Sequence, residues 1–144
     1  MLYKSYLRNR VVYVPTVGKR GGVYTIIEPV AAVPVDNTDG LRRAFYDTIA
    51  RKNVPILPSK GTWPTPLLPK YAGAKSWSAF ARDASTWSIK ENEGGYQIVG
   101  HRKHPKGYWV EDPEQKVEFP PGATVEQVID RMIAILQDAA MKKE

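Results

Sequence analysis

Read for alternation of apolar and polar positions, the chain divides into elements whose hydrophobic period changes several times. Val11 to Val17, VVYVPTV, is β-branched and aromatic, and the turn-forming cluster Gly18-Lys19-Arg20-Gly21-Gly22 follows it. A second such run, Val23 to Val35, contains Pro29 and Pro34. Proline has no N–H to give a ladder, so this strand is expected to be interrupted at Pro29 or to lie at an edge there. Leu41, Ala44, Phe45, Thr48 and Ile49 then recur at i, i+3, i+4, i+7 and i+8, which predicts a helix capped by Asn37 or Thr38. Asn53 to Lys70 holds five prolines and one glycine and reads as a long, partly rigid loop. Its apolar side chains Trp63, Leu67 and Leu68 either pin the loop on the core or line a recognition surface.

The stretch Tyr71 to Ile89 concentrates aromatic residues around a short amphipathic helix. Ser76 is placed to cap it, and Trp77, Phe80, Ala81 and Ala84 fall on one face. A helix this short is marginal alone, so Trp77 and Phe80 are expected to bury against something larger. Thr86 to Lys90 and Tyr96 to Gly100 alternate across a glycine turn as a hairpin. A third strand is expected at Gly107 to Glu111 and a fourth at Lys116 to Phe119. Thr124 and Gln127 have capping-box spacing, and Val125, Val128, Ile129, Met132, Ile133, Ile135 and Leu136 form a wide apolar stripe. The expected fold class is α+β in one domain spanning 1–144: an antiparallel sheet of about five to six strands packed by two longer helices plus one short helix. The order is ββ-α-α-βββ(β)-α, with 1–10 and 140–144 as frayed tails.

Composition narrows the chemistry. An apolar fraction of 42% and a charged fraction of 25% are those of an ordinary globular domain, which argues against wholesale disorder. With no cysteine, the chain has no disulfide, thiolate nucleophile or cysteine-based zinc site. No run of about 18 apolar residues and no leader-like N-terminus appear, so the expected place is the cytoplasm with no membrane contact. The net charge of +6 is uneven: residues 1–75 hold 12 Lys and Arg against 4 Asp and Glu, while 76–144 hold 9 against 11. A basic half attracts polyanions, although a solvated surface explains the same charges.

Candidate catalytic groups are few. His101 and His104 stand three apart beside Arg102, Lys103 and Lys106, cations that would repel a metal, and no spacing supplies a partner for acid–base work. The GKRGG cluster lacks phosphate-loop spacing and reads as a hairpin tip. Glu111, Asp112, Glu114 and Glu118 cluster around a Pro113 turn with no apolar pocket in evidence to shift a pKa. No nucleophile elbow, dinucleotide fingerprint or zinc motif occurs. The expectation is a non-enzymatic protein without a cofactor. Cations interleaved with Tyr108 and Trp109 in HRKHPKGYW leave open a nucleic-acid-binding module that uses the basic N-terminal half and the His101–Trp109 loop.

Four blocks in order, Glu28-Pro29-Val30, the KSWSAFARDA segment from Lys75 to Ala84, the WSI strand after it and the WVEDPE segment from Trp109 to Glu114, resemble immunity proteins of bacterial contact-dependent growth-inhibition systems. The resemblance implies a small cytoplasmic protein that binds and neutralises the toxic C-terminal domain of a cognate effector, often a nuclease. Inhibitors of basic nucleases are commonly acidic, whereas this chain is net basic. Either the toxin is not a basic nuclease, or contact uses the acidic second half. The expected partner-binding residues are Trp63, Trp109, Glu111, Asp112, Glu114 and Glu118.

Overall fold

The computed structural model describes residues 1–56 and 67–142. Strand β1 (Leu2–Arg8) turns into β2 (Val11–Arg20), which turns into β3 (Val23–Pro34); helix α1 (Thr38–Arg51) follows. Two short helices, α2 (Leu67–Ala72) and α3 (Trp77–Arg82), precede β4 (Ala84–Asn92), β5 (Gly95–Lys103) and β6 (Trp109–Glu118), and α4 (Val125–Lys142) closes the chain. The strands form one antiparallel sheet in the order β3-β2-β1-β4-β5-β6. The α+β class and the helix-packed antiparallel sheet therefore stand.

Several local expectations hold. Asn37 accepts from the Gly40 amide at 2.9 Å and Ser76 from the Ala79 amide at 3.1 Å, each answering an orphan N–H of a first turn. The Thr124–Gln127 box is reciprocal, at 3.2 and 2.9 Å. Strand β3 lies at an edge of the sheet, with a register shift opposite Pro29.

Other expectations are corrected. Residues 1–10 are no frayed tail: β1 occupies the interior of the sheet, paired with β2 on one side and along its whole length with β4 on the other. Asn9 and Arg10, at φ 51° and 62°, make the tight turn between β1 and β2 without glycine. Nor is 140–144 frayed from its start, because α4 continues to Lys142 and Ala140 is buried. Gly18, Lys19 and Arg20 belong to β2, and the turn is confined to Gly21 and Gly22, both at positive φ. The loop expected from Asn53 to Lys70 ends in α2. The third and fourth strands are two halves of β6, which kinks where residues 112–115 bulge opposite the single residue Gly100. A Cβ on Gly100 would stand 2.6 Å from Cβ of Gln115, so glycine is what admits the bulge.

Paired residues share a sheet face, so the registers sort the side chains. Tyr3 and Leu7 of β1, Val12 and Val14 of β2, Trp87 and Ile89 of β4 and Ile98 of β5 point one way. Leu41 and Phe45 of α1 and Val128, Ile129, Met132 and Leu136 of α4 close over them as the main core. Leu7, 1% exposed at the middle of that layer, carries the largest test of the fold. Leu7→Ala is expected to cost about 2–5 kcal/mol in urea denaturation. Met141→Ala, at an exposed site near the end of α4, should stay within about 0.5 kcal/mol. Equal effects would contradict the interior position of β1.

Candidate functional site

The opposite face of the sheet is divided in two. On one half, Tyr6 of β1 and Tyr13 of β2 meet Leu68 of α2 and Phe80 of α3 in a second apolar cluster. Ring centroids lie 5.9 Å apart for Tyr6 and Phe80 and 5.8 Å for Tyr13 and Phe80, both edge-on, the arrangement aromatic quadrupoles favour. Trp77 and Trp109 join at 5.8 Å, and each also meets Tyr6. Arg8 anchors the rim: its guanidinium lies 5.8 Å from the Phe80 ring centroid and donates to the Ala72 carbonyl at 3.4 Å. Phe80 thus buries against the sheet as its spacing requires, whereas Trp77, expected to bury as well, packs on Tyr6, Phe80 and Trp109 with 36% of its surface exposed.

The other half of this face is polar. Lys4 of β1 lies beside Ser88 of β4; Lys90 and His101 sit further along β4 and β5, and Glu111 of β6 lies beside His101. With Leu2 and Tyr24 they border a cavity of about 480 Å³. Lys90 and Glu111 form an ion pair, and the hydrogen bond from Lys90 holds the Glu111 carboxyl below its ordinary range. Burial lowers the pKa of Lys4. Burial likewise pushes His101 below 6.5; Lys4 and Lys90 push the same way, against a hydrogen bond to the Thr86 backbone and the charge of Glu111. Among the described residues, Nδ1 of His101 is buried without a hydrogen-bond partner.

His101 also borders a second cavity, of about 720 Å³, with Arg82, Asp83, Lys103 and Trp109. Pairing of β4 with β5 stops at Trp87 and Gly100, while β4 runs on beside β1 to Ala84, so the two strands part and the cleft opens. Lys103 donates to the Arg82 carbonyl at 2.7 Å and lies 5.9 Å from the Trp109 ring centroid. At the β5–β6 hairpin tip, His104 stacks on Tyr108 at 4.5 Å with ring planes 7° apart, leaving Tyr108 53% exposed.

The expected partner-binding residues are distributed as follows. Trp63 lies outside the described residues. Trp109 turns inward to the aromatic cluster. The four carboxylates all lie on β6, an edge of the sheet. Glu111 pairs with Lys90 and Glu118 with Lys116 at 3.1 Å. Asp112 accepts from the Glu114 amide at 3.1 Å and from Gln115 at 2.9 Å, which folds the bulge and lowers the Asp112 pKa. Among the described residues, no group of three His, Cys, Asp or Glu could hold a metal ion, and no helix is long and apolar enough to cross a membrane. Lys4 and Ser88 escaped the sequence reading. The one signal was a cation alternating with aromatic residues in YKSY, legible only once β1 is known to be a strand.

No protein-family model matches the chain, and no curated protein does. Among solved structures it is similar to NMB0488 from Neisseria meningitidis, a protein of unknown function, with a TM-score of 0.66. The two are 13% identical, and the match covers 94% of this chain and 92% of that one. At this identity the likeness establishes a shared fold and nothing about activity.

The environment of His101 fixes the sign of a pH effect. Because its folded pKa lies below the ordinary 6.5, the unfolded chain takes up this proton first as pH falls. Stability contributed by the neutral, partly buried imidazole is present above 6.5 and lost as pH drops toward the folded pKa. His101→Gln should flatten the pH dependence of the urea midpoint in that window; an unchanged slope would show that His101 is not held neutral.

Proposed function

We propose that this chain is a non-enzymatic, cytoplasmic immunity protein that binds and neutralises the toxin domain of a contact-dependent growth-inhibition effector. The observation that carries the reading is the character of β6. In a chain of net charge +6, this edge strand places Glu111, Asp112, Glu114 and Glu118 along ten residues. Glu111, Glu114 and Glu118 are exposed. A basic toxin surface would meet these carboxylates, and charge complementarity of this kind supplies partner choice and association rate more than raw affinity. Pro113 and the bulge that contains it suit a surface that recognises by side chains, since both discourage indiscriminate strand pairing. The inward-facing Trp109 stiffens β6 from behind in this reading and is not itself a contact.

A second reading, binding of nucleic acid, draws on the hairpin tip, where exposed Tyr108 stands among Arg102, Lys103 and Lys106. Nuclease separates the two. A tagged chain incubated with host lysate at moderate salt is expected to retain the C-terminal region of one large secreted effector whether or not the lysate is treated with nuclease. Recovery of nucleic acid alone, lost as salt rises, would replace the immunity reading by the second one. Glu114→Lys with Glu118→Lys should weaken the effector complex at least tenfold, about 1.4 kcal/mol, in a titration of purified partners. The same pair should leave stability within about 1 kcal/mol. Undiminished affinity would remove β6 from the interface.

A further inference from the structure

The polar half of the sheet face is unbalanced in a way that neither the core nor the acidic edge explains. Lys4 projects from an interior strand and is only partly exposed, and its side chain makes no hydrogen bond or ion pair among the described residues. Taking an ammonium out of water without a counter-charge is costly. The carboxylates bordering the same cavity are already engaged. Glu111 holds Lys90, and Glu91 accepts from the hydroxyls of Tyr3 and Tyr96 at 3.0 and 3.1 Å. His101, whose buried Nδ1 has no hydrogen-bond partner, borders the same cavity. A desolvated cation, an imidazole with hydrogen-bonding capacity to spare and the Ser88 hydroxyl therefore border one cavity in which no described carboxylate answers Lys4.

We infer that the cavity bordered by Lys4, Ser88 and His101 is a binding site for a small organic oxyanion, a phosphate or carboxylate whose charge Lys4 neutralises. A neutral ligand would leave Lys4 uncompensated, and a metal ion would be repelled by Lys4 and Lys90. The volume of about 480 Å³ exceeds what a bare oxyanion needs and falls in the range of small-molecule sites, with Leu2 and the Tyr24 ring bordering it for an apolar body. In the complex Lys4 provides the charge-assisted hydrogen bonds, Ser88 donates from the strand beside it, and His101 joins on taking up a proton. The cavity shares Glu111 with the acidic edge, but Lys4, Ser88 and His101 lie apart from Glu114 and Glu118, so the variants that test the two readings are different.

The test is NMR titration of the full chain with inorganic phosphate and, separately, acetate at constant ionic strength, following the Lys4 ammonium and the His101 imidazole. At least one anion should give saturable shifts at both groups with a Kd in the range of about 1–20 mM, weak because a bare anion lacks the organic body. Saturation by phosphate alone assigns a phosphate ligand, by acetate alone a carboxylate; saturation by both keeps the oxyanion site without choosing between them. Lys4→Met and His101→Gln should each weaken binding at least tenfold. Lys4→Met removes a desolvated charge, so without anion it is expected to be at least as stable as the parent, and phosphate should then raise the melting temperature of the parent more than that of the variant. Shifts that stay linear with both anions, or that are unaltered in Lys4→Met, would overturn the proposal. So would shifts centred on Arg82 and Lys103 in the neighbouring cleft.

Discussion

Everything in this fold depends on β1 being paired on both sides and buried on both faces. Its backbone joins the β2–β3 hairpin to the β4–β5–β6 meander, two antiparallel units that otherwise have no common ladder. Its side chains serve two layers at once, with Tyr3, Ser5 and Leu7 toward α1 and α4, and Lys4, Tyr6 and Arg8 toward the opposite face. The buried hydroxyls along its seam with β4 are met locally. Ser5 donates to the Trp87 carbonyl at 3.1 Å and Thr86 donates to the Ser5 carbonyl at 2.8 Å, so the β1–β4 seam is satisfied by its own hydroxyls.

The two faces of the sheet are treated differently, and the candidate sites follow from that asymmetry. Two long helices cover one face with branched and aromatic side chains, a close-packed layer with little room for ligand. On the other face, α2 and α3 supply a small aromatic cap over Tyr6 and Tyr13. Beyond that cap the strands present Lys4, Ser88, Lys90, His101 and Glu111. Alternation in β1, β4 and β5 makes both outcomes obligatory, since each residue that fills the core places its neighbours on this second surface.

The sheet's outer strand shows how local geometry and charge act together. Gly100 admits the bulge at residues 112–115, Asp112 closes it, and Pro113 removes a donor from the strand. Natural sheets protect their edges with such devices, and here they also raise a run of carboxylates clear of the layer behind. Trp109 and Lys103 hold the start of β6 against the aromatic cluster, so the carboxylates stand on a fixed support.

Short-range physics was legible in the chain itself. The caps at Asn37, Ser76 and Thr124, the apolar stripes of α1 and α4 and the hairpin after Ile89 depend on residues within a few positions of one another. Pro29 and Pro34 pointed to an edge position for β3 for the same reason, because a missing N–H is best tolerated where one side of a strand is free. The place of β1 was not legible: a strand covered on both faces by mixed side chains has no polar–apolar alternation to announce it, and its partner β4 is some eighty residues away. The union of two short strands into β6, the inward turn of Trp109 and the gathering of Lys4, Ser88 and His101 around one cavity are likewise consequences of register. Sequence determined which segments form elements and which faces are apolar. Tertiary structure alone decided which polar side chains share a cavity, because that depends on pairings between strands far apart in the chain.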